Sequence, residues 1–341
     1  MKFENYTIKD IAKALNLSTS TISRALRDSY EISPETKKKV LEYAEKINYR
    51  ANPIARSLKE RRSHSIGIIV SEIANNFFSQ VINGVESIAY DKNFQIIISQ
   101  THESSERERL NVEYLTSRGI DGLLIALSSE TEDISYLHQL KERGFPIVFF
   151  DRIPKQFNTY KVVVNNQQGA YDATQHLIKL GNKRIAHLTS SKSLSITRDR
   201  LEGYKKALMA NHIDFDPNLV KYSQYGGLHL DEIEKAIEEL IQIGFDAIFI
   251  SGDKLTTGYL HVVKKRNFEA ASNIAIAGFT NSNVVELFSS KVTAIRQPAF
   301  EMGKIATELL IKLIEAKYPI TEFETRVLPT ELINNHEIKK P

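Results

Sequence analysis

At 341 residues, with 42% hydrophobic and 26% charged side chains, the chain has the make-up of a globular protein of two or three domains, which excludes a disordered or fibrous class. It contains no Cys, which excludes disulfides and cysteine–zinc sites and suits a reducing interior. The net charge of +3 is unevenly spread: residues 1–64 hold 14 Lys/Arg against 8 Asp/Glu, while the other 277 hold 31 against 34. A basic head on a mildly acidic body suits a chain whose head alone meets phosphate, although a solvated helical face would give the same excess.

In chain order, Met1 to Asp10 lacks the apolar core of a secretory signal. No apolar run approaches the roughly 20 residues needed to cross a bilayer. The expected location is the cytoplasm, with no membrane partner. Apolar residues at Ile8, Ile11, Ala12 and Leu15 follow helical spacing, Thr7 stands at the cap position, and Asp10 completes a capping-box-like pair. After the Asn16-Leu17-Ser18 break, Ser18 caps a second short helix with Ile22, Ala25 and Leu26 facing inward. Two helices joined by so tight a turn cross steeply and leave the start of the second projecting outward. That start presents Thr19 and Ser20, with Thr21, Ser23 and Arg24 close by. Small hydroxyls permit close approach to phosphates and base edges, and the Arg fork matches guanine. Ser33-Pro34-Glu35 opens a third helix through Val40, Leu41, Ala44 and Ile47, whose Lys37, Lys38 and Lys39 either touch phosphate or are merely solvated. A small three-helix bundle without any nucleic-acid role would share much of this pattern.

Asn52 followed by Pro53 makes a short helix plausible through Ala55 and Leu58. Isolated helices below about 12 residues are marginal, so this one needs a partner to order it. From Ser65 onward apolar runs alternate with helical stretches. Ile66–Val70, Gln95–Ile98, Gly122–Ile125 and Ile147–Phe150 read as buried parallel strands. A second series is read from Val162–Val164 through Arg184–Leu188, Ala247–Ile250 and Ile274–Ala277. Two such series imply an α/β core of two doubly wound lobes, with ligands bound beyond the carboxyl ends of the strands. The nine His show no metal-binding spacing, and there is no phosphate-binding glycine loop or nucleophile elbow. No catalytic residue, metal or cofactor is expected.

Several segments carry a family resemblance. Tyr6-Thr7-Ile8-Lys9-Asp10-Ile11-Ala12, Leu17-Ser18-Thr19-Ser20-Thr21-Ile22-Ser23-Arg24-Ala25-Leu26 and Ile47-Asn48-Tyr49-Arg50 resemble the head of the lactose-repressor (LacI/GalR) family. In the core, Ala74–Phe78, Asp151-Arg152, Gly181–Ala186, Arg200–Tyr204 and Thr293–Pro298 extend the resemblance over nearly the whole chain. It implies an N-terminal all-α helix-turn-helix head over residues 1–50, a hinge helix and linker over 51–64, and a core over 65–341 resembling periplasmic sugar-binding proteins. Three lobe crossings are expected near residues 161, 292 and 321. Lobe one is then 65–161 with 293–321, and lobe two 162–292 with 322–341.

The resemblance also implies function: a homodimer on a two-fold symmetric duplex operator, acting as a repressor under control of a small-molecule effector, a sugar or sugar derivative. Candidate DNA contacts are Thr7, Thr19, Ser20, Thr21, Ser23 and Arg24 in the head and Asn52, Ala55 and Leu58 in the hinge. Leu58 would wedge into a minor-groove base step, unless it is an ordinary buried leucine. Candidate effector contacts are Phe78, stacking on a sugar ring, Asp151, Arg200 at the opening of a helix, Asp253 accepting two hydroxyls, Thr280 and Gln297. Each of these also suits a helix cap or an ion pair between lobes.

Two departures stand out. Ala51 and Pro53 replace the family's usual Pro and small residue, and Gly278-Phe279-Thr280-Asn281 lacks an acidic pair that many members carry there. The second removes a usual acceptor, so the ligand class does not transfer from well-known relatives. The rival reading is a solute-binding or sugar-processing protein whose head is an interaction module.

Overall fold

The computed structural model describes residues 6–49, 62–282 and 292–334. The hinge candidates Asn52, Ala55 and Leu58 lie outside the described residues, as do most of the expected hinge segment and residues 335–341. Between His64 and Ser65 the chain divides into two compact units.

The first unit contains α1 (Ile8–Leu15), α2 (Thr19–Ala25) and α3 (Pro34–Lys46). Each supplies two residues to one small core: Ile11 and Ala12, Ile22 and Ala25, Val40 and Ala44. Leu41, expected inside, is 51% exposed, because the buried face of α3 runs through Val40, Tyr43, Ala44 and Ile47.

The second unit holds two six-stranded sheets. The first lobe is built from β1 (Ser65–Val70), α4 (Asn76–Asp91), β2 (Gln95–Gln100), α5 (Ser105–Ser117), β3 (Gly122–Ile125), α6 (Ser135–Glu142), β4 (Ile147–Phe150) and β5 (Lys161–Val164). The second contains α7 (Asn166–Lys179), β6 (Ile185–Thr189), α8 (Ser195–Ala210), β7 (Val220–Tyr222), α9 (Leu230–Ile243), β8 (Ala247–Ile250), α10 (Asp253–Arg266), α11 (Glu269–Ser272), β9 (Ala275–Phe279) and β10 (Val292–Arg296). The chain then returns to the first lobe in α12 (Ala299–Glu315) and β11 (Thr325–Leu328), and ends in the second with β12 (Glu331–Asn334).

The first sheet has the order β11-β5-β4-β3-β1-β2, all parallel. The second, β12-β10-β9-β8-β6-β7, is parallel except for β12 against β10. Within each lobe the first strand lies between the second and third, which creates a switch point where a doubly wound sheet binds its ligand. Apolar side chains fill both faces: in β1, Ile66, Ile68 and Val70 join one core cluster while Ile69 joins the other.

Pairing corrects the expected boundaries. Val162–Val164 lies in β5, beside β4 in the first sheet, and does not open the second series. β10 belongs to the second sheet and β11 to the first. The lobe crossings therefore fall at 165, 297–298 and 329–330, after the strands that were expected to follow them. Apolar content alone does not tell which of two sheets a strand joins. Likewise Gln95–Ile98, read as buried, is the edge strand β2, with Ile97 38% and Ile98 37% exposed.

Each lobe has one intimate helix pair made possible by glycine. A Cβ on Gly84 of α4 would collide with the Phe300 carbonyl oxygen of α12, and one on Gly303 with that of Val81. In the second lobe a Cβ on Gly203 of α8 would strike the Gln167 carbonyl oxygen of α7. These obstacles are backbone, which yields only if a whole helix moves. Gly84→Ala and Gly203→Ala are each expected to cost roughly 1–3 kcal/mol of stability through overpacking, read as a lower midpoint in chemical denaturation.

Candidate DNA-reading head and effector cleft

In the head, Asp10 Oδ2 accepts from both the backbone N–H and the hydroxyl of Thr7, each at 2.7 Å, and these donors hold the carboxyl below its usual range. Helix α1 ends at Asn16 in the left-handed region (φ +52°), which turns the chain sharply. Ser18 Oγ then accepts from Thr21 N–H at 3.0 Å and lies 2.7 Å from Ser20 Oγ and 2.8 Å from Thr21 Oγ1. This cap fixes the start of α2 and orders its hydroxyls. Because only Ile22 and Ala25 of α2 are buried, Thr19, Ser20 and Arg24 remain exposed and Thr21 and Ser23 half-buried.

Ser23 Oγ accepts from Arg27 at 3.1 Å. Arg24 pairs with Glu31 at 3.1 Å, both well exposed. Such a pair is worth about 0–1 kcal/mol, a weak hold on the Arg24 side chain. On α3 the three consecutive lysines all have acidic partners: Lys37 with Asp28 at 2.6 Å, Lys38 with Glu42 at 3.9 Å and Lys39 with Glu35 at 2.9 Å.

In the core, both lobes deliver polar groups to the carboxyl ends of their strands. Asp151 follows β4, is buried, and has a positive φ of +55°. Burial raises its pKa against the pull of Arg152 and Arg200, and its Oδ1 has no hydrogen-bond partner. Arg152 donates from Nη1 to Glu103 Oε1 and Oε2 at 2.8 and 2.7 Å. Its Nε lies 3.8 Å from Asp151 Oδ2 and is also unpartnered. Glu103 in turn accepts from Ser129 N–H at 2.8 Å, tying the loops after β2, β3 and β4 together.

Arg200 is buried in the second turn of α8, since that helix starts at Ser195 and not at Arg200 as expected. Its Nε donates to Asn166 Oδ1 at 2.8 Å and its Nη1 to the Ser251 carbonyl at 3.0 Å, and the guanidinium lies 3.8 Å from the Phe279 ring centre. Burial lowers its pKa to about 10, which leaves it charged at neutral pH.

Asp253, expected to accept two ligand hydroxyls, is committed within the protein in this arrangement. Its Oδ1 accepts from Thr280 Oγ1 at 2.7 Å and Asn281 N–H at 2.8 Å, and its Oδ2 from Asn76 N–H at 3.1 Å. Asn76 belongs to the first lobe, so this carboxylate bridges the two. Asn281 donates to Gln80 at 2.7 Å and to the Gln297 carbonyl at 2.8 Å, and Ser193 donates to the Ser129 carbonyl at 2.6 Å. Phe78, expected to stack on a ligand, is 1% exposed among Phe77 and Phe150, with Arg152 over its ring. The buried face of α4 claims it for the core.

Sequence reasoning named Asp151, Arg200 and Gln297, which the structure gathers around the facing strand ends. It passed over Glu103, Thr101, Ser129 and Thr197. The strand-end rule that selected Asp151 would have selected Thr101 and Glu103 after β2 as well. Among the described residues, six buried polar atoms here have no hydrogen-bond partner: Thr101 Oγ1, Ser129 Oγ, Asp151 Oδ1, Arg152 Nε, Thr197 Oγ1 and Gln297 Nε2.

The head matches the model of "Bacterial regulatory proteins, lacI family" over residues 7–52, and the core matches a periplasmic binding protein domain over 66–318. The chain is 30% identical over 319 residues to the HTH-type transcriptional regulator RegA of Clostridium saccharobutylicum, covering 91% of this chain and 93% of that one. Among solved structures it resembles a transcriptional regulator CelR–cellobiose complex, at 26% identity and TM-score 0.69 over 96% of this chain and 98% of that one. The Lac repressor dimer bound to operator shares the fold, with TM-score 0.80 at 21% identity over 97% and 98%. A basic helix-turn-helix ahead of a two-lobed α/β core defines a ligand-responsive DNA-binding regulator, and the chain belongs to the lacI family of bacterial transcriptional regulators. Among the described residues no helix is long and apolar enough to cross a membrane.

Replacing Asp253 with Ala leaves three donors without their acceptor, two of them inside the second lobe and one across the lobes. Hydrogen bonds to a charged group contribute about 1.5–3 kcal/mol. Asp253→Ala should therefore unfold at lower denaturant concentration, and small-angle scattering should show a larger radius of gyration.

Proposed function

We propose that the protein is a cytoplasmic transcriptional repressor, a homodimer on a two-fold symmetric operator, whose DNA affinity is set by a carbohydrate held between the core lobes. The observation that carries the effector assignment is the set of six unpartnered buried polar atoms at the facing strand ends. Buried polar groups are costly unless hydrogen-bonded, so a site that leaves several bare in one place is built for a polar ligand. The set mixes a carboxylate acceptor, two nitrogen donors and three hydroxyls. A polyhydroxylated molecule answers such a mixture, because each hydroxyl both donates and accepts. The cellobiose bound by CelR is a ligand of that chemistry.

On the DNA side, Thr19, Ser20, Thr21, Ser23 and Arg24 form the tip of α2 that enters the major groove, with Thr7 before α1 as a further contact. Asn52, Ala55 and Leu58 of the hinge complete the contact. One short head reads few base pairs, so a second copy is required. The β2 edge strand, with Ile97 and Ile98 exposed, is an apolar margin suited to joining two copies. The ligand prefers one arrangement of the lobes, and that preference is the coupling energy between effector and DNA, typically about 1–3 kcal/mol.

Two measurements test this reading. Arg24→Ala should lose roughly 1–3 kcal/mol of affinity for a selected duplex and relax its preference at one base position. Unchanged affinity in a fluorescence titration would return the head to the role of a protein-interaction module. A thermal-shift panel of sugars and sugar phosphates on the full chain should yield a ligand that stabilises by about 2.7 kcal/mol at a hundredfold excess over its Kd. Asp151→Asn should abolish that gain. A panel in which no sugar acts, or in which the variant responds equally, removes the carbohydrate assignment.

A further inference from the structure

The charged side chains buried in the core are gathered in one region. Among the described residues they are Glu103, Glu108, Asp151, Arg152, Arg200 and Asp253: four carboxylates, two guanidiniums and no lysine. His187 is buried too, but burial pushes its pKa down to about 3 and keeps it neutral. Glu103, Asp151 with Arg152, and Asp253 follow β2, β4 and β8, and Arg200 reaches the Ser251 carbonyl just after β8. Glu108 of α5 accepts from Ser128 N–H at 2.6 Å, in the loop after β3, and from Thr131 Oγ1 and the Tyr136 hydroxyl at 2.9 and 2.6 Å.

Neither cation is left over. Arg152 is held by Glu103 at 2.7 and 2.8 Å with Asp151 3.8 Å from its Nε, and the Asp151 charge acts on Arg200 as well. Burial raises the pKa of Asp151 and of Glu108, yet with both protonated Glu103 and Asp253 still match the two guanidiniums. Helix N-termini are the other seats that such a fold offers an anion. Those of α4, α5 and α10 are taken by acceptors of the protein's own. Asn76 N–H, at the start of α4, donates to Asp253 Oδ2 at 3.1 Å, and Ser105 N–H, at the start of α5, to Glu130 at 3.2 Å. Helix α10 opens with the Asp253 carboxylate itself. At Gly226 the second lobe approaches the Glu103–Arg152 pair with bare backbone: a Cβ there would lie 3.5 Å from Glu103 Oε1 and 3.9 Å from Arg152 Nη2.

We infer that the effector is an uncharged, polyhydroxylated sugar, and that sugar phosphates and sugar acids are turned away by the charge of the cleft. The exclusion rests on the carbohydrate reading above and narrows it. Asp151 Oδ1 is bare and needs a donor, which a hydroxyl supplies and an ionised phosphate or carboxylate does not. An anionic ligand would add its charge to the cleft carboxylates with no surplus cation to receive it, and like charges out of water repel strongly.

The test is calorimetry on the full chain with matched sugars: cellobiose against cellobionate, ribose against ribose 5-phosphate, glucose against glucose 6-phosphate and galactose against galacturonate. Any sugar that the thermal-shift panel returns joins them with its own phosphate. The neutral member that binds should do so at least about tenfold more tightly than its acidic partner, with an affinity that changes little between low and high salt. Glu103→Gln removes one negative charge beside Arg152 and should narrow that preference severalfold. Where this variant fails to fold or to bind, Glu108→Gln, whose amide oxygen can still accept from Ser128 N–H, reads the same effect. An acidic member that equals or exceeds its neutral partner overturns the inference and leaves the carbohydrate reading standing. A neutral preference that neither variant narrows belongs to ligand size and overturns it too. A panel in which neither member of any pair binds removes the carbohydrate reading and the inference together.

Discussion

A polar atom taken out of water needs a partner, and the core is arranged around where that requirement is met and where it is not. Parallel sheets covered on both faces keep their middles apolar, so polar side chains collect at the strand ends. At the facing ends of these two sheets, some carboxylates are held by several donors of the protein's own. Asp253 receives three donors and Glu103 binds Arg152 while accepting from Ser129. Others, Asp151 and Gln297 among them, keep an unsatisfied atom in the same region. Of the first set, the Asp253 bond to Asn76 joins the two lobes and the Glu103 contacts tie loops of the first lobe to one another, while the second set leaves polar atoms bare between them. The distinction rests on hydrogen-bond accounting and not on residue type, since a carboxylate appears in each.

The head works by a similar separation. Six small or medium apolar side chains suffice to fix three short helices, and α2 contributes only Ile22 and Ala25 to them. Thr19, Ser20 and Arg24 of that helix stay exposed, while the caps at Thr7 and Ser18 set where the helices begin. Lys37, Lys38 and Lys39 of α3 each have a carboxylate beside them, and Arg24 of α2 is weakly paired with Glu31.

The two lobes repeat one strand order, and each also relies on a glycine that lets two helices approach backbone to backbone. What differs between them is their opposite ends. The cleft gathers polar atoms without hydrogen-bond partners from both lobes, whereas the amino end of the first sheet carries a hollow lined by aromatic rings with Lys141 and Lys317. A fold of this kind thus offers two chemically unlike environments at the two ends of one sheet, because backbone at both ends is released from ladder bonding and loops there are free to vary.

Much of the secondary structure was legible in the sequence, because helical spacing around Ile8–Leu15 and the continuous apolar runs at Ile66–Val70 or Ala247–Ile250 are local patterns. The head with its exposed Thr19, Ser20 and Arg24 was legible for the same reason: caps and turn residues act within a few positions of chain. The end of β4 before Asp151 was legible too, since Ile147–Phe150 is a continuous apolar run. What tertiary structure alone decided was partnership. Val162–Val164 pairs with β4 and so joins the other sheet, Phe78 turns into the core, and Asp253 spends its oxygens on Thr280, Asn281 and Asn76. Sequence records which groups a residue carries, but a contact across 177 positions, such as Asp253 with Asn76, exists only once two separately wound sheets have met.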